Sequence, residues 1–246
     1  MAGTLVVAMA ADGGRTVDEA ALAASARSLV LAGWHVVVMA GPPGPEGITG
    51  TTLALELGQS RSGRRAVPVV AHVLVDPADP ALARPSAADH PEPLAVLEAE
   101  AIASLNGHFP VVVTSRVPVV PHGEAYRPVA ADLDPAATAR RLAGDLGAGV
   151  LAFITGGADG PVVTGEIDAL GAQEHAADGG PLSAELRAAA RFVRAGGELA
   201  LVTPAAGLAR ALHGAAFDAS DDGVLRIRHT VARRRAAAPA LTAGLR

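Results

Sequence analysis

Short apolar runs of strand length alternate along this chain with segments of helical period, and that alternation constrains the fold more than any other feature. It is the mark of an α/β domain built on an open, mainly parallel sheet. Thr4–Ala10 (TLVVAMA) reads as a first buried strand, and Thr16 with Glu19 forms a capping box for a helix whose Leu22, Ala26 and Leu29 face inward before Gly33. His35–Ala40 (HVVVMA) is a second strand and opens into the Gly41–Gly47 loop, followed by a short apolar helix over Thr51–Leu57. Val67–Val75 reads as one strand, Asp76–Pro93 as an extended connection, and Leu94–Leu105 as a helix leading to the strand Phe109–Thr114. Val117–Val120 and Glu124–Val129 pair as a hairpin. Asp134 is a natural N-cap with Pro135 at the first helical position, and Leu142 and Leu146 mark the inward face before strand Val150–Ile154. A further helix over 182–195, a strand Leu199–Thr203, a helix to Leu212 and a strand Val224–Arg228 complete the domain.

All 20 basic residues among the 246 are arginine. A chain without lysine has no P-loop lysine and no Schiff-base amine, and arginine presents a permanently charged fork instead of a compact ammonium. The absence of cysteine removes disulfides, thiolate nucleophiles and Cys-based zinc sites together. With 25 acidic residues the net charge is −5, so nucleic acid is not an expected partner. No apolar run approaches the roughly 18 residues that span a bilayer, and no basic leader is read at the N-terminus, so a soluble cytoplasmic protein is expected. Residues 231–246, with Arg233, Arg234 and Arg235, read as a loose, solvated basic tail after a single domain over 1–230.

The eight histidines have no metal-ligand spacing, so no metal site is expected from the residues themselves. There is no nucleophile elbow and no Walker loop, and Ser115 at a strand end reads as a turn former or a candidate ligand contact. Three glycine-rich strand ends remain. They are Asp12-Gly13-Gly14, the loop holding Gly41, Gly44 and Gly47, and Thr155-Gly156-Gly157-Ala158-Asp159-Gly160. Ligands of open α/β sheets sit outside the carboxyl ends of the strands, so these loops either share one nucleotide- or anion-binding crevice or are simply tight turns.

The order and spacing of several segments resemble carbamate kinases, of the amino-acid kinase superfamily. Leu97-Glu98-Ala99-Glu100-Ala101-Ile102 is similar to the family's Val-Glu-Ala-Glu-Thr-Ile helix, Ala131-Asp132-Leu133-Asp134-Pro135-Ala136 to its Val-Ile-Asp-Lys-Asp-Leu-Ala segment, and Ile154-Thr155-Gly156 to its Leu-Thr-Asp strand end. Residues 181–214 resemble its Gly-Pro-Lys helix and the Gly-Gly turn, strand and helix that follow. The resemblance implies a sheet sandwiched between helices, a homodimer, and use of ATP and magnesium on a carbamate or carboxylate acceptor. Its surviving positions Asp132 and Asp134 are candidate catalytic residues, Asp134 being also explained as a helix cap, and Arg116 with Arg127 is the candidate source of positive charge if the site is rearranged around arginine.

The likeness lies in the framework and fails at the phosphate-holding positions. The family's Gly-Gly-Asn falls on Ala10-Ala11-Asp12, and its Gly-Asn-Gly-Pro on a loop where Pro42, Pro43 and Pro45 offer no N–H to an anion. Its glycine run shrinks to Arg116, its two lysines become Leu133 and Glu185, and its aspartate after Thr155 becomes Gly156, with Asp159 nearby. The 76–93 connection stands where the family carries a protruding subdomain that excludes water. Losing one charge-stabilising group commonly costs about 100- to 1,000-fold in phosphoryl transfer. The expectation is therefore a protein deficient in that transfer that binds a small anionic ligand or a protein partner; the alternative is an enzyme with a rearranged, arginine-based site.

Overall fold

The computed structural model describes residues 3–10, 17–40, 68–76, 78, 97–115, 117–123, 125–129, 134–156, 164–213 and 223–229. Eight strands form the main sheet: β1 (Thr4–Met9), β2 (His35–Ala40), β3 (Pro68–Ala71), β6 (Val111–Ser115), β9 (Val150–Thr155), β10 (Gly165–Asp168), β11 (Leu199–Pro204) and β12 (Leu225–Arg228). Their order is β10-β12-β11-β9-β1-β2-β6-β3. The run from β11 to β3 is parallel throughout, whereas β12 pairs antiparallel with β11 and parallel with β10. A second sheet of four strands has the order β5 (Leu97–Glu98), β4 (Leu74–Val75), β7 (Val119–His122), β8 (Ala125–Pro128).

The central strands are apolar on both faces because both faces are covered, as parallel sheets require. Alternate residues of each strand feed two cores. Leu5, Val7, Val36, Val38, Ala152 and Leu201 pack under α1 (Glu19–Leu31) and α6 (Leu208–His213). On the other face, Val6, Ala8, Val37, Met39, Leu151 and Phe153 pack under α2 (Glu100–His108), α3 (Pro135–Asp145), α4 (Ala169–Ala177) and α5 (Ser183–Arg194). Alanine fills much of the helix side of this second core, with Ala136, Ala139, Ala172, Ala176, Ala189 and Ala190 all buried, so helices approach closely without large side chains.

Asp134 caps α3 as expected, its Oδ1 accepting the Ala136 N–H at 2.9 Å, with Pro135 in the first turn. The hairpin β7–β8 is also present. Three expectations are corrected. The run Val67–Val75 is two strands in different sheets, since Pro68–Ala71 pairs with β6 while Leu74–Val75 pairs with β5 and β7. The helix expected from Leu94 starts only at Glu100, because Leu97 and Glu98 form an antiparallel ladder with β4. The first helix is capped by Asp18, whose carboxylate accepts the Ala21 N–H; Thr16 lies outside the described residues, as does the helix read over Thr51–Leu57.

Candidate functional site

The chain leaves β1 for α1 over one face of the sheet and leaves β9 for α4 and α5 over the other. Adjacent strands whose connections part to opposite faces open a crevice at their carboxyl ends, the usual ligand position in such sheets. In this molecule that point lies between β1 and β9. The ladder closes with the Ala10 N–H donating to the Ile154 carbonyl at 2.9 Å, so Thr155 stands at the lip.

Thr155 is 4% exposed and its hydroxyl has no hydrogen-bond partner. A buried hydroxyl without a partner is unfavourable by about 1–3 kcal/mol, and such groups recur where a ligand completes them. Gly156 follows it, also buried. Strand alternation places Thr155 on the face of α3, α4 and α5, in line with Phe153. Each of α3 and α5 runs back along that face to the start of the strand it precedes, so its first turn lies on the carboxyl side of the sheet. Asp134 and Glu185 are therefore on that side.

Asp134 is half-buried and committed to its helix: besides Ala136, its carbonyl accepts from the Thr138 hydroxyl at 3.1 Å. Glu185, at the position aligned with a family lysine, is 2% exposed in the first turn of α5. A buried carboxylate there is the opposite of what a phosphate-bearing ligand would choose. Ser115 ends β6, three strands from β9, and faces the α1 side; its hydroxyl donates to the Val117 carbonyl at 2.6 Å, which fits a turn former. Ser115 and Thr155 are therefore not brought together. Arg116, Asp132, Asp12, Gly13, Gly14, Gly41, Gly44, Gly47, Gly157 and Asp159 lie outside the described residues.

Sequence reasoning missed β10 and α4, although Asp168 is a recognisable cap whose carboxylate accepts the Gly171 N–H at 2.8 Å. It also passed over Thr114, buried at the end of β6 with an unpartnered hydroxyl. Nothing in a Val-Val-Val-Thr run distinguishes such a threonine from a core residue. Among the described residues, no three His, Asp or Glu side chains converge as a metal site. None of their helices is long and apolar enough to cross a membrane.

No family model matches the sequence, and no curated protein matches it. The structure, in contrast, is similar to solved ones over nearly its whole length. Carbamate kinase from Giardia lamblia superposes with a TM-score of 0.63 at 18% identity, covering 93% of this chain and 99% of that one. A protein from Aeropyrum pernix K1 gives 0.59 at 20% identity, over 92% and 99% of the two chains. N-acetylglutamate synthase from Neisseria gonorrhoeae, complexed with coenzyme A and N-acetyl-glutamate, gives 0.63 at 16% identity, over 93% of this chain and 60% of that one. One Giardia structure holds AMP-PNP. The resemblance read from the sequence therefore holds at the level of architecture, and the chain has the amino-acid-kinase fold, in the form seen in carbamate kinase.

Proposed function

We propose that this chain is a divergent carbamate-kinase-like protein that binds a phosphate-bearing or other small anionic ligand in the β1–β9 crevice and is deficient in phosphoryl transfer. The observation that carries the binding half is the unpartnered Thr155 hydroxyl at that crevice. Thr155 can donate to a phosphate oxygen; in sequence Gly157 and Asp159 follow it directly, and Asp12, Gly13 and Gly14 follow β1. A nucleotide with magnesium is the first ligand to try, given the AMP-PNP held by a protein of the same fold. The fit is partial. Thr155 suits phosphate, whereas Glu185 is a buried carboxylate where the family resemblance expects a lysine.

The second half of the proposal follows from charge. A loose phosphoryl transition state is stabilised by positioned cations and N–H donors, and this chain has no lysine to supply them. Ground-state binding needs fewer such groups than transfer does, so a ligand can be held by a chain that no longer turns it over. Fold alone does not decide the matter. A homodimer is part of the reading and is tested by light scattering on the isolated chain.

The test is thermal unfolding with AMP-PNP, ADP and inorganic phosphate, with and without magnesium, beside an assay of ADP release from ATP. Ligand at a hundred times its Kd raises apparent stability by about 2.7 kcal/mol, which registers as several degrees. A shift with no acceptor-dependent ADP release supports the proposal. Steady release that needs a carbamate or carboxylate replaces it with an active kinase using arginine, with Arg116 and Arg127 the first residues to substitute. No shift with any ligand moves the search to protein partners.

A further inference from the structure

This inference rests on the reading above, that the β1–β9 crevice binds a ligand through Thr155, and concerns Ser25. Among the buried positions of α1 (Leu22, Ala23, Ser25, Ala26 and Leu29) it is the one polar residue. A serine inside a helix ordinarily turns its hydroxyl back to the carbonyl four residues before it, or leaves it in water. Here the hydroxyl does neither. It donates to the Ala205 carbonyl at 2.7 Å, a buried bond between residues 180 positions apart in the sequence.

Ala205 opens the short 3-10 turn Ala205–Gly207 that follows β11. The ladder between β9 and β11 ends on the pair Thr155–Pro204, so Ala205 is the first residue past the point at which Thr155 is held. On the other side of β9, the Ala10 N–H closes the ladder on the Ile154 carbonyl. Thr155 thus stands between the ends of β1 and β11, and one helix serves both: α1 is the next described element after β1, and its Ser25 bonds the turn after β11. That turn is tightly packed. Thr203 donates its hydroxyl to the Pro204 carbonyl at 3.1 Å, Ala205 and Leu208 are buried, and a Cβ added at Gly207 would clash with the Thr203 hydroxyl.

The Thr155 side chain lies on the face opposite α1, so Ser25 acts through the Ala205 backbone and not by contact with a ligand held there. A donor that must be ordered when the ligand arrives weakens binding by the cost of ordering it. We propose that Ser25 is a positioning residue of the β1–β9 site: its bond to Ala205 fixes the turn after β11, and the fixed turn holds the end of β9 so that the Thr155 hydroxyl meets the ligand already in place.

The experiment titrates AMP-PNP and ADP by calorimetry into the wild type, Ser25→Ala, Thr155→Val and the double variant. Leu29→Val, one turn further along α1, is the control: it trims a core contact of the same helix and lowers the unfolding temperature as Ser25→Ala does, but leaves the Ser25–Ala205 bond intact. Ser25→Ala should lose about threefold to tenfold in nucleotide affinity, the equivalent of one hydrogen bond, while Leu29→Val binds as the wild type does. In the Thr155→Val background the Ser25→Ala change should cost nothing further, because the hydroxyl it positions is gone. Without ligand, the Thr155 methyl resonance should move in Ser25→Ala and stay in place in Leu29→Val.

Wild-type affinity in Ser25→Ala overturns the inference. An equal loss in Leu29→Val overturns it too and makes Ser25 a packing residue of α1; so does a double variant whose loss is the product of the two single losses, which separates Ser25 from Thr155. In each of these cases the wild type still binds nucleotide and the proposed function stands. A wild type that binds neither AMP-PNP nor ADP sinks the nucleotide reading and this inference together.

Discussion

Gly197 lies in the turn between α5 and β11, where its N–H donates to the Phe192 carbonyl at 3.1 Å. A Cβ added at this position would clash with the Phe192 ring, and Phe192 is 4% exposed within the core beneath α5. Interiors are packed to crystal-like density, so a ring this buried gives way only by displacing its neighbours. Gly197→Ala should therefore destabilise the protein by about 1–3 kcal/mol in urea unfolding, by overpacking. A wild-type midpoint would mean that the ring swings aside at no cost. Arg141 makes the opposite case. Its guanidinium meets Asp145 at 2.8 Å, but the two side chains are 34% and 25% exposed, one turn apart on α3. Solvent screening reduces such a pair to a few tenths of a kcal/mol, and Arg141→Ala should shift the same midpoint by no more than about 0.5 kcal/mol. A tight contact against a buried ring outweighs an ion pair of ideal length in water.

Elements whose ends carry their own chemistry were readable from the chain. The Asp134-Pro135 start and the Gly147 stop, at φ 59°, bracket α3 almost as the sequence indicates. The strands that depend on a distant partner were not. Pro68–Ala71 and Leu74–Val75 form one apolar run, and only the pairing of the first with β6 and the second with β7 divides them between two sheets. Leu97 and Glu98 continue a helical period yet extend because β4 offers them a ladder. At the candidate site, the glycine-rich strand ends and Thr155 could be picked out by composition, whereas the orphaned state of Thr114 and the burial of Glu185 arise from what packs above them. Asp134 allows its two roles to be separated. Asparagine caps as well as aspartate, so Asp134→Asn should leave stability within a few tenths of a kcal/mol while Asp134→Ala loses about 1 kcal/mol. If Asp134 acts only as a cap, the nucleotide-induced thermal shift of Asp134→Asn equals the wild-type shift; a lost shift would place its charge in the site.

The sheet is the one structure that both cores share, and this sets where the molecule should resist opening. Strands β1, β2 and β9 are buried on both faces along nearly their whole length, with neighbours on both sides, and each contributes alternate residues to both clusters. To expose one of their amides, both helical layers must lift. By contrast, β8 is exposed along all four residues and lies at the edge of the smaller sheet, with Tyr126 53% exposed and its ring tilted against that of His72 at a centroid distance of 5.0 Å. Opening free energies range from near zero at such edges to the global value in a core. Native-state hydrogen exchange should then show the amides of Val6, Val37 and Leu151 exchanging only through global unfolding, and those of Tyr126 and Arg127 exchanging early through local opening. Because β1 and β9 are among these protected strands, Thr155 at the end of β9 is held in place by the best-buried part of the described structure, and a ligand of the proposed kind would find it already positioned. Rapid exchange at Val6 or Leu151 would contradict this, and would mean that the two helical layers part before the chain unfolds.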